Sequence, residues 1–397
     1  LEDLQDAFDF CYKVHYQPGE PHAGEIGGWA LPRAPPQNPE PSPLPAGEER
    51  NGDPEYIQEL KSLQDKLQNL DLQRREVLAQ MQQLLGRSET LQELLQQELG
   101  CWRARQQRLC LGGPGDTNLR PLETWFTELG QGLFQLRQLL RALGDLRQKV
   151  TYARDPLVAE TPLLEQRLQE QLTHLLKSAF VVEQQPSTPN AGERPLVLRT
   201  AGKFSSRARL LVRLHDRNHR MEAKIHIDRF RRFNILTSSS KTLLAGDSPQ
   251  EGLVCDFQYL GGLGAAGGPG GCMGVVPGGD RGATSPQGPL VVTEELHLIT
   301  FTLAYAYCGL ELELETTTLP FVIISNNNQF SSAWASILWF NMLSSDPKAS
   351  PQFFSSPPPA PWPRLAEVLS WQFQSVAERG LSRDNLLMLA KKLLGKA

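Results

Sequence analysis

The hydrophobic positions of the chain change their spacing twice. Leucines recur three or four residues apart from residue 54 to residue 179, with interruptions at Gly112–Asp116 and Asp155–Pro156. Apolar and polar residues then alternate in several segments between residues 180 and 325, and helical spacing returns at Ala333. A spacing of three to four is typical of helices and strict alternation is typical of strands. The pattern therefore predicts a helical region, a β region and a second helical region.

The first region predicts an antiparallel bundle of four helices. Leu1, Leu4, Phe8 and Tyr12 share one helical face, and a long helix begins at Asp53–Pro54, an N-cap followed by the proline favoured at the first helical position. The predicted packing seam of the long helix contains Leu60, Leu63, Leu67, Leu70, Val77, Met81, Leu84, Leu91, Leu95 and Trp102. Two more helices follow, along Leu119–Leu143 and Leu164–Ala179, and their short connectors make neighbouring helices antiparallel. Residues 17–53 are dense in Pro, Gly and Glu, so we expect a disordered connector there.

The second region predicts an antiparallel β-sandwich, because six strand-like segments follow one another with no helix between them. These segments are RPLVLRT, RARLLVRLHD, MEAKIHIDR, GLVCDFQYL, LVVTEELHLITFTLAYAY and LELELETTTLPFVIISN. Helices return in WASILWFNML, PRLAEVLSWQFQSVAERG and SRDNLLMLAKKLLG. The predicted fold class is α+β and multidomain, with a bundle at residues 1–180, a sandwich at 181–345 and a helical domain at 346–397.

Charge is distributed unevenly along the predicted sandwich. Residues 194–241 contain 13 Lys or Arg against three acidic residues, whereas residues 242–345 contain one basic residue, Arg281, against nine acidic ones. A surface with the first of these fields would attract polyanions, which makes nucleic acid a candidate partner. The alternative is a solvated strand face whose charges pair with the acidic half. Charge alone does not decide between these two interpretations.

The sequence predicts neither an enzyme nor a metal site. His215, His219 and His226 are the nearest approach to a metal cluster, but they lack matched Cys or Asp ligand spacing, and His297 beside Glu294 and Glu295 fits an ordinary strand better than an acid/base group. The six cysteines form no C-x-x-C pair, which is typical of a reducing compartment. We also expect no signal peptide and no membrane span, and the missing initiator Met suggests a fragment.

A glycine-rich run at residues 261–271 contains a literal GxGxxG at Gly262, Gly264 and Gly267. A dinucleotide site needs a helix immediately after the glycines, because the helix N-terminus holds the pyrophosphate. Here more Gly and Pro follow as far as Pro289, and no Gly-Lys-Ser/Thr is present. The run is therefore interpreted as a flexible loop, and no cofactor is expected.

Seven segments in order resemble the STAT family, the signal transducers and activators of transcription. They are AFVVEQQP, RPLVLRT, FRRFNIL, VTEELHLITF, LPFVIISN, WASILWFNML and VLSWQFQSVAERGLSRDNLLMLAKKLLG. The resemblance extends over the whole chain, and LETWFTELGQGLFQLRQLL, RTAGKFSSRARLLVRL, NILTSSSKTL, FFSSPPPAPW and DAFDFCYK resemble the branch that responds to type I interferons. It implies a coiled-coil bundle, an immunoglobulin-like DNA-binding sandwich and a helical linker domain. It also implies activation by tyrosine phosphorylation and pairing with another STAT subunit through an SH2 domain that this sequence does not contain.

The resemblance implies DNA contacts at eleven positions of this sequence. They are Asn190, Arg194, Arg199, Arg231, Arg232, Lys241, Thr293, Glu295, Ser325, Asn326 and Gln329. Arg and Lys can neutralise phosphates, and an Asn amide can read a base edge because it offers both a donor and an acceptor. Asn326 is the strongest candidate for base reading, and its alternative is a turn residue in NNNQ.

Two departures from the family pattern predict weak DNA binding. The glycine-rich run stands where many members have a basic loop, and almost no connector separates IDR from FRRFN. The resemblance also implies an interferon regulatory factor as partner of the bundle, near Phe8, Phe10 and Tyr12. Phe8 and Tyr12 share one face, whereas Phe10 projects from another, so a single seam cannot bury all three rings.

The leading functional hypothesis is a transcription factor subunit of the interferon or cytokine pathway. It would bind double-stranded DNA, reside in the cytoplasm and move to the nucleus on activation, with no membrane and no small-molecule substrate as partners. The second hypothesis is a cytoplasmic signalling scaffold that uses only its bundle. An enzyme ranks a distant third.

Overall fold

The computed structural model describes residues 1–15, 25–26, 29–30, 54–188, 195–199, 204–213, 220–227, 240–244, 253–257, 296–324, 326–344, 346, 353–354 and 356–395. Seven helices are present among these residues: α1 (Glu2–His15), α2 (Pro54–Cys110), α3 (Arg120–Lys149), α4 (Pro156–Ala179), α5 (Phe330–Leu343), α6 (Trp362–Ala377) and α7 (Arg383–Leu394). Eleven strands are present in the same residues: β1 (Glu25–Ile26), β2 (Trp29–Ala30), β3 (Phe180–Ser187), β4 (Val197–Arg199), β5 (Ser205–Leu210), β6 (Arg220–Ile227), β7 (Ser240–Leu244), β8 (Leu253–Phe257), β9 (Ile299–Tyr307), β10 (Leu310–Thr317) and β11 (Val322–Ile324). The predicted α+β class and the helical, β, helical order are confirmed.

The chain divides into two compact units. One unit contains residues 1–95 and 128–175, and the other contains residues 96–127 and 176–397. The first unit holds α1, most of α2 and α3, nearly all of α4, and the short strands β1 and β2. The second unit contains the last part of α2, the start of α3, the end of α4, strands β3 to β11 and the final helices. The ends of three bundle helices therefore belong to the same compact unit as strands β3 to β11.

Helix α1 packs on α2 and on the connection between α3 and α4. Phe8 and Tyr152 lie in one buried cluster with Leu63, Leu67, Leu70 and Val150, and Leu1, Leu4 and Tyr12 pack against it. This confirms the predicted apolar face of the first helix. Phe8, one of the predicted partner contacts, is only 2% exposed, because its ring fills the core of the bundle.

A buried arginine joins the same three elements. The guanidinium of Arg74 donates hydrogen bonds to Asp155 (2.7 Å), to the side chain of Gln5 (2.7 Å) and to the backbone carbonyl of Val150 (3.1 Å). Neither side chain of the Arg74–Asp155 ion pair is exposed to solvent. A buried charge must be paired and hydrogen-bonded to be tolerated, and these contacts meet that need.

The predicted seam of α2 is correct at its two ends and wrong in the middle. Leu84 and Leu91 are 45% and 51% exposed, whereas the buried positions between Leu70 and Leu99 are Asp71, Arg74, Leu78, Met81, Leu85, Ser88, Gln92 and Leu95. These positions keep the alternating spacing of three and four residues. Four of them are polar, so a seam traced through apolar residues alone drifts onto the solvent face.

The β-sheets lie in the second unit. Strands β10, β9, β6 and β7 form a four-stranded antiparallel sheet in that order, and β3, β5 and β8 form a three-stranded one. Strands β4 and β11 pair in parallel, which corrects the prediction of a wholly antiparallel arrangement. Strand β7 was not predicted, because SKTLL offers only a short apolar run.

Several sequence predictions fall largely outside the described residues. The predicted connector contains an antiparallel pair of strands, β1 and β2. Residues 25–26 and 29–30 are therefore ordered, which corrects the prediction of disorder at these positions. Isoleucine and tryptophan both favour extended structure, which fits this pairing. The remainder of residues 17–53 and the whole glycine-rich run lie outside the described residues.

Candidate functional site

The pairing of β4 with β11 brings three of the predicted DNA contacts to one edge: Arg199, Asn326 and Gln329. Their parallel register pairs Val197 with Val322 and Arg199 with Ile324. Arg199 ends β4 and is exposed, and Asn326 follows β11 by two residues and is exposed as well. Because parallel strands end at the same side of a sheet, the guanidinium of Arg199 and the side-chain amide of Asn326 extend from adjacent strand ends.

Asn326 has a structural task in this edge. It is the N-cap of a short 3-10 turn, Asn327–Gln329, and its Oδ1 accepts a hydrogen bond from the backbone N–H of Asn328 (2.6 Å). The backbone N–H of Asn326 in turn donates to Oε1 of Gln329 (3.3 Å). This reciprocal capping fixes both side chains at the start of α5. Base reading by Asn326 would therefore use its Nδ2 donor or the second lone pair of Oδ1.

Of the other predicted DNA contacts that the structure describes, Gln329 lies at this edge through its hydrogen bond with Asn326, whereas Lys241 does not. Lys241 lies on β7, where its backbone pairs with that of Ala223 in a different sheet from β4. The remaining predicted residues lie outside the described residues: Asn190, Arg194, Arg231, Arg232, Thr293, Glu295 and Ser325.

Part of the basic segment is neutralised by glutamates that precede it in sequence. Glu123 near the start of α3 accepts hydrogen bonds from Arg209 (3.1 Å) and Arg213 (2.6 Å). Glu183 of β3 forms ion pairs with Arg209 (2.9 Å) and Arg207 (4.0 Å). These pairs were not predicted, because both glutamates lie outside the acidic half at residues 242–345. Alternation along β5 predicts that Arg207 and Arg209 share one face, but helix α3, which carries Glu123, is distant from β5 in sequence.

Buried glutamines form a second contact between the end of α2 and the strands. Nε2 of Gln106 donates to the carbonyl oxygens of Val182 (2.9 Å) and Glu183 (2.8 Å), and its Oε1 accepts from Gln185 (2.9 Å). Gln185 also accepts a hydrogen bond from the backbone N–H of Leu319 (2.8 Å). The connection that leads into β11 is thus held to β3 and, through β3, to helix α2.

The predicted partner contacts on α1 differ in their exposure to solvent. Phe10 is 68% exposed, whereas Tyr12 is half-buried with its ring stacked on that of Phe8 at 6.2 Å between centroids. Phe10 is therefore the aromatic side chain of this group that a partner could reach directly. The outward direction of Phe10 agrees with the helical spacing in the sequence.

Other classes of site find no support in the described part of the chain. It contains no group of three or more His, Cys, Asp or Glu side chains suited to hold a metal ion. His297 is buried and forms an isolated β-bridge with Phe321, in agreement with the strand interpretation. Among the described helices, none combines the length and apolar character needed to cross a bilayer.

Comparisons with known proteins match the order of these regions. Residues 1–172 match the family model described as the STAT transcription factor coiled-coil domain, residues 184–324 match the STAT protein DNA binding domain, and residues 347–397 match the linker domain of signal transducers and activators of transcription. The human and mouse proteins named signal transducer and activator of transcription 4 each share 36% sequence identity with this chain, over alignments that cover 99% of its length. The chain spans about half the length of these relatives, 48% in both cases.

The two relatives carry the name of a different family member from the one expected, so they do not support the finer resemblance to the type I interferon branch. Three consecutive family models and two relatives of the same name nevertheless agree on one family for nearly the whole sequence. The chain belongs to the family of signal transducers and activators of transcription.

Proposed function

We propose that this chain is part of a signal-responsive transcription factor subunit whose β-rich unit contacts double-stranded DNA weakly. The observation that carries the proposal is the placement of Arg199 and Asn326 at the ends of two paired parallel strands. A guanidinium can neutralise a phosphate beside an amide that reads a base edge. Weak binding is expected because Arg207, Arg209 and Arg213 are engaged by Glu123 and Glu183.

The phosphate role of Arg199 is tested by salt-dependent binding. Arg199→Ala should weaken binding to all duplexes about equally and reduce the slope of log K against log salt by about 1, because one phosphate contact is lost. Arg379→Ala, at an exposed arginine after α6, serves as the matched control and should leave the slope unchanged. A loss confined to one DNA sequence would contradict the phosphate assignment.

The base-reading role of Asn326 needs variants that separate reading from capping. Asn326→Ser keeps an N-cap acceptor but removes the amide donor, whereas Asn326→Ala removes both. If Asn326 reads a base, the serine variant should lose about 1–3 kcal/mol of discrimination at one base pair while its melting temperature stays close to that of the wild type. Unchanged discrimination would leave Asn326 as a cap only.

We also propose that the helical unit recruits an interferon regulatory factor through Phe10, as a member of the interferon-responsive branch would. Support comes from the exposed ring of Phe10 on a helix whose opposite face is buried. Phe10→Asp should abolish the complex and leave the helical content intact, because a carboxylate buried at the interface would lack a partner. Leu163→Asp places the same charge at an apolar residue of similar exposure, 67%, on α4, and it should bind normally.

The second candidate function is a cytoplasmic scaffold that uses only its bundle. It predicts partner binding through Phe10 and no direct, salt-dependent binding to duplex DNA. The transcription-factor proposal instead includes pairing with another STAT subunit and movement from cytoplasm to nucleus on activation. DNA binding by the wild-type chain at low and moderate ionic strength separates the two candidates.

A further inference from the structure

A cysteine and a lysine from different helices are in direct contact in the helical unit. Lys66 of α2 donates a hydrogen bond from Nζ to Sγ of Cys11 of α1, at 2.6 Å. Both side chains are half-buried, so a small solute can reach the sulfur while the surrounding helices limit movement of the pair. The thiol and the amine are close enough to react with each other when the sulfur becomes electrophilic.

We propose that Cys11 and Lys66 form a redox-dependent covalent cross-link, in which hydrogen peroxide oxidises the thiol and the lysine amine captures the product. In the first step Sγ attacks one oxygen of hydrogen peroxide and the O–O bond breaks. The departing hydroxide takes up the thiol proton and leaves as water, and the sulfur, oxidised by two electrons, becomes a sulfenic acid. In the second step Nζ, after losing a proton to solvent, attacks Sγ. The S–N bond forms, the S–O bond breaks and a second water leaves, with no further change in oxidation state.

The contact geometry favours capture by Lys66 over competing reactions. A nucleophile already held against the sulfur reacts as though it were present at very high concentration, so it should trap the sulfenic acid before a second peroxide or a second protein does. Two other described cysteines have different surroundings. Burial raises the pKa of Cys110 to about 12, which keeps its thiol protonated, and Cys101 is exposed on α2.

The cross-link would tie α1 to α2 at the residue that follows Phe10. Helix α1 has only 14 residues and is followed by residues outside the described part of the chain. A covalent bond between helices lowers the conformational entropy of the unfolded chain, so oxidation should stabilise the docking of α1 on α2. The modification is therefore a means by which peroxide could fix the position of this helix.

Peptide mass spectrometry of the 397-residue chain tests the proposal. After brief exposure to hydrogen peroxide and digestion without reductant, the wild type should give a peptide pair joined through Cys11 and Lys66 that lacks two hydrogen atoms. Dithiothreitol should release it, and the peroxide-treated protein should melt at a higher temperature than the reduced protein. Lys61→Arg, at an exposed lysine of the same helix, is the matched control and should form the same pair.

Two variants identify the reacting groups. Cys11→Ser should give no cross-link, and Lys66→Arg should retain the cation but leave Cys11 as a sulfenic acid that dimedone traps. The proposal is overturned if wild-type Cys11 carries oxygen with no bond to Lys66, if it is joined to another residue, or if it stays unreacted while Cys101 is oxidised.

Discussion

Gly113 lies where the turn between α2 and α3 meets helix α6. A Cβ added at this position would stand 2.6 Å from Cη2 of Trp371 and 3.1 Å from the carbonyl oxygen of Arg108. The indole ring is rigid and the carbonyl belongs to the backbone of α2, so neither neighbour can easily withdraw. The close approach explains why this position of the turn requires a residue without a side chain.

Gly113→Ala should lower the free energy of unfolding by about 1–3 kcal/mol, because the new methyl group forces the turn away from α6. Gly100→Ala is the matched control, since this glycine lies in α2 with no heavy atom within 4 Å of its Cβ position. The control should raise stability by about 0.5–1 kcal/mol through helix propensity. Urea unfolding measures both, and equal effects of the two variants would contradict the packing argument.

At the scale of elements, polar residues in the seam of α2 explain why its buried face is harder to predict from the sequence than those of α3 and α4. The helices were predicted because α3 and α4 bury leucines at almost every seam position. The buried seam in the middle of α2 was predicted at the wrong residues, because the true buried positions include Arg74 and Gln92. Their burial depends on partners outside α2. Helix propensity and hydrophobic periodicity describe a single segment, whereas the hydrogen-bond partners of a buried polar residue lie in other segments and are known only from the packed structure.

The polar contacts between α2 and α4 form a continuous set. Arg167 donates two hydrogen bonds to the carboxylate of Glu89, both at 2.7 Å, and Gln171 donates to Glu89 and to the carbonyl of Leu85, both at 3.0 Å. Gln92 completes the set by donating to the carbonyl of Gln171 (3.3 Å). Because each contact joins one specific pair of positions, the set opposes a shift of one helix along the other.

The Glu89–Arg167 pair predicts a pH-dependent stability. The hydrogen bond from Arg167 lowers the pKa of Glu89, so the contribution is present above the unfolded pKa of about 4.3 and is lost as pH falls through the lowered folded value. Both side chains are more than one-third exposed, so solvent screening should keep the contribution below about 1 kcal/mol. Glu89→Gln should be less stable than wild type at neutral pH, and the difference should vanish in acid.

Urea unfolding at several pH values measures this difference. Glu93→Gln, at an exposed glutamate one helical turn away, provides the control and should show a small difference that does not depend on the pair. A Glu89→Gln deficit that persists at low pH would instead indicate a packing effect of the substitution.

At the scale of the whole molecule, the basic character of the β region is smaller than its composition implies. Its charges could face a polyanion or pair internally on sequence grounds, and in the structure three arginines of the segment pair internally. Arg199 remains exposed at the candidate edge. The edge itself could be anticipated only through the family resemblance, because a parallel pair of two three-residue strands leaves no periodic signal in the sequence.

Glu123 is central to this internal balance. Its carboxylate is 2% exposed and contacts Arg209, whose side chain is largely buried, and Arg213, which is partly exposed. Removing one member of a buried charge pair leaves the other uncompensated, which costs more than the pair itself contributes. Arg209 would keep its ion pair with Glu183, whereas the partly exposed Arg213 would lose its contact with the Glu123 carboxylate, so stability and DNA affinity should respond in opposite directions.

Glu123→Gln should therefore lower the free energy of unfolding by about 2–3 kcal/mol, less than for a fully buried pair because Arg213 reaches solvent. At a temperature where the variant is folded, its binding to duplex DNA should be tighter at low salt, and its salt slope should be steeper by up to about 1, because Arg213 loses the carboxylate that neutralises it. Glu98→Gln, at an exposed glutamate of α2, is the control for the loss of one negative charge. Unfolding in urea and binding titrations at two salt concentrations give both readouts. An unchanged salt slope in a destabilised variant would mean that Arg209 and Arg213 serve the packing of α3 on the strands and do not face a nucleic acid.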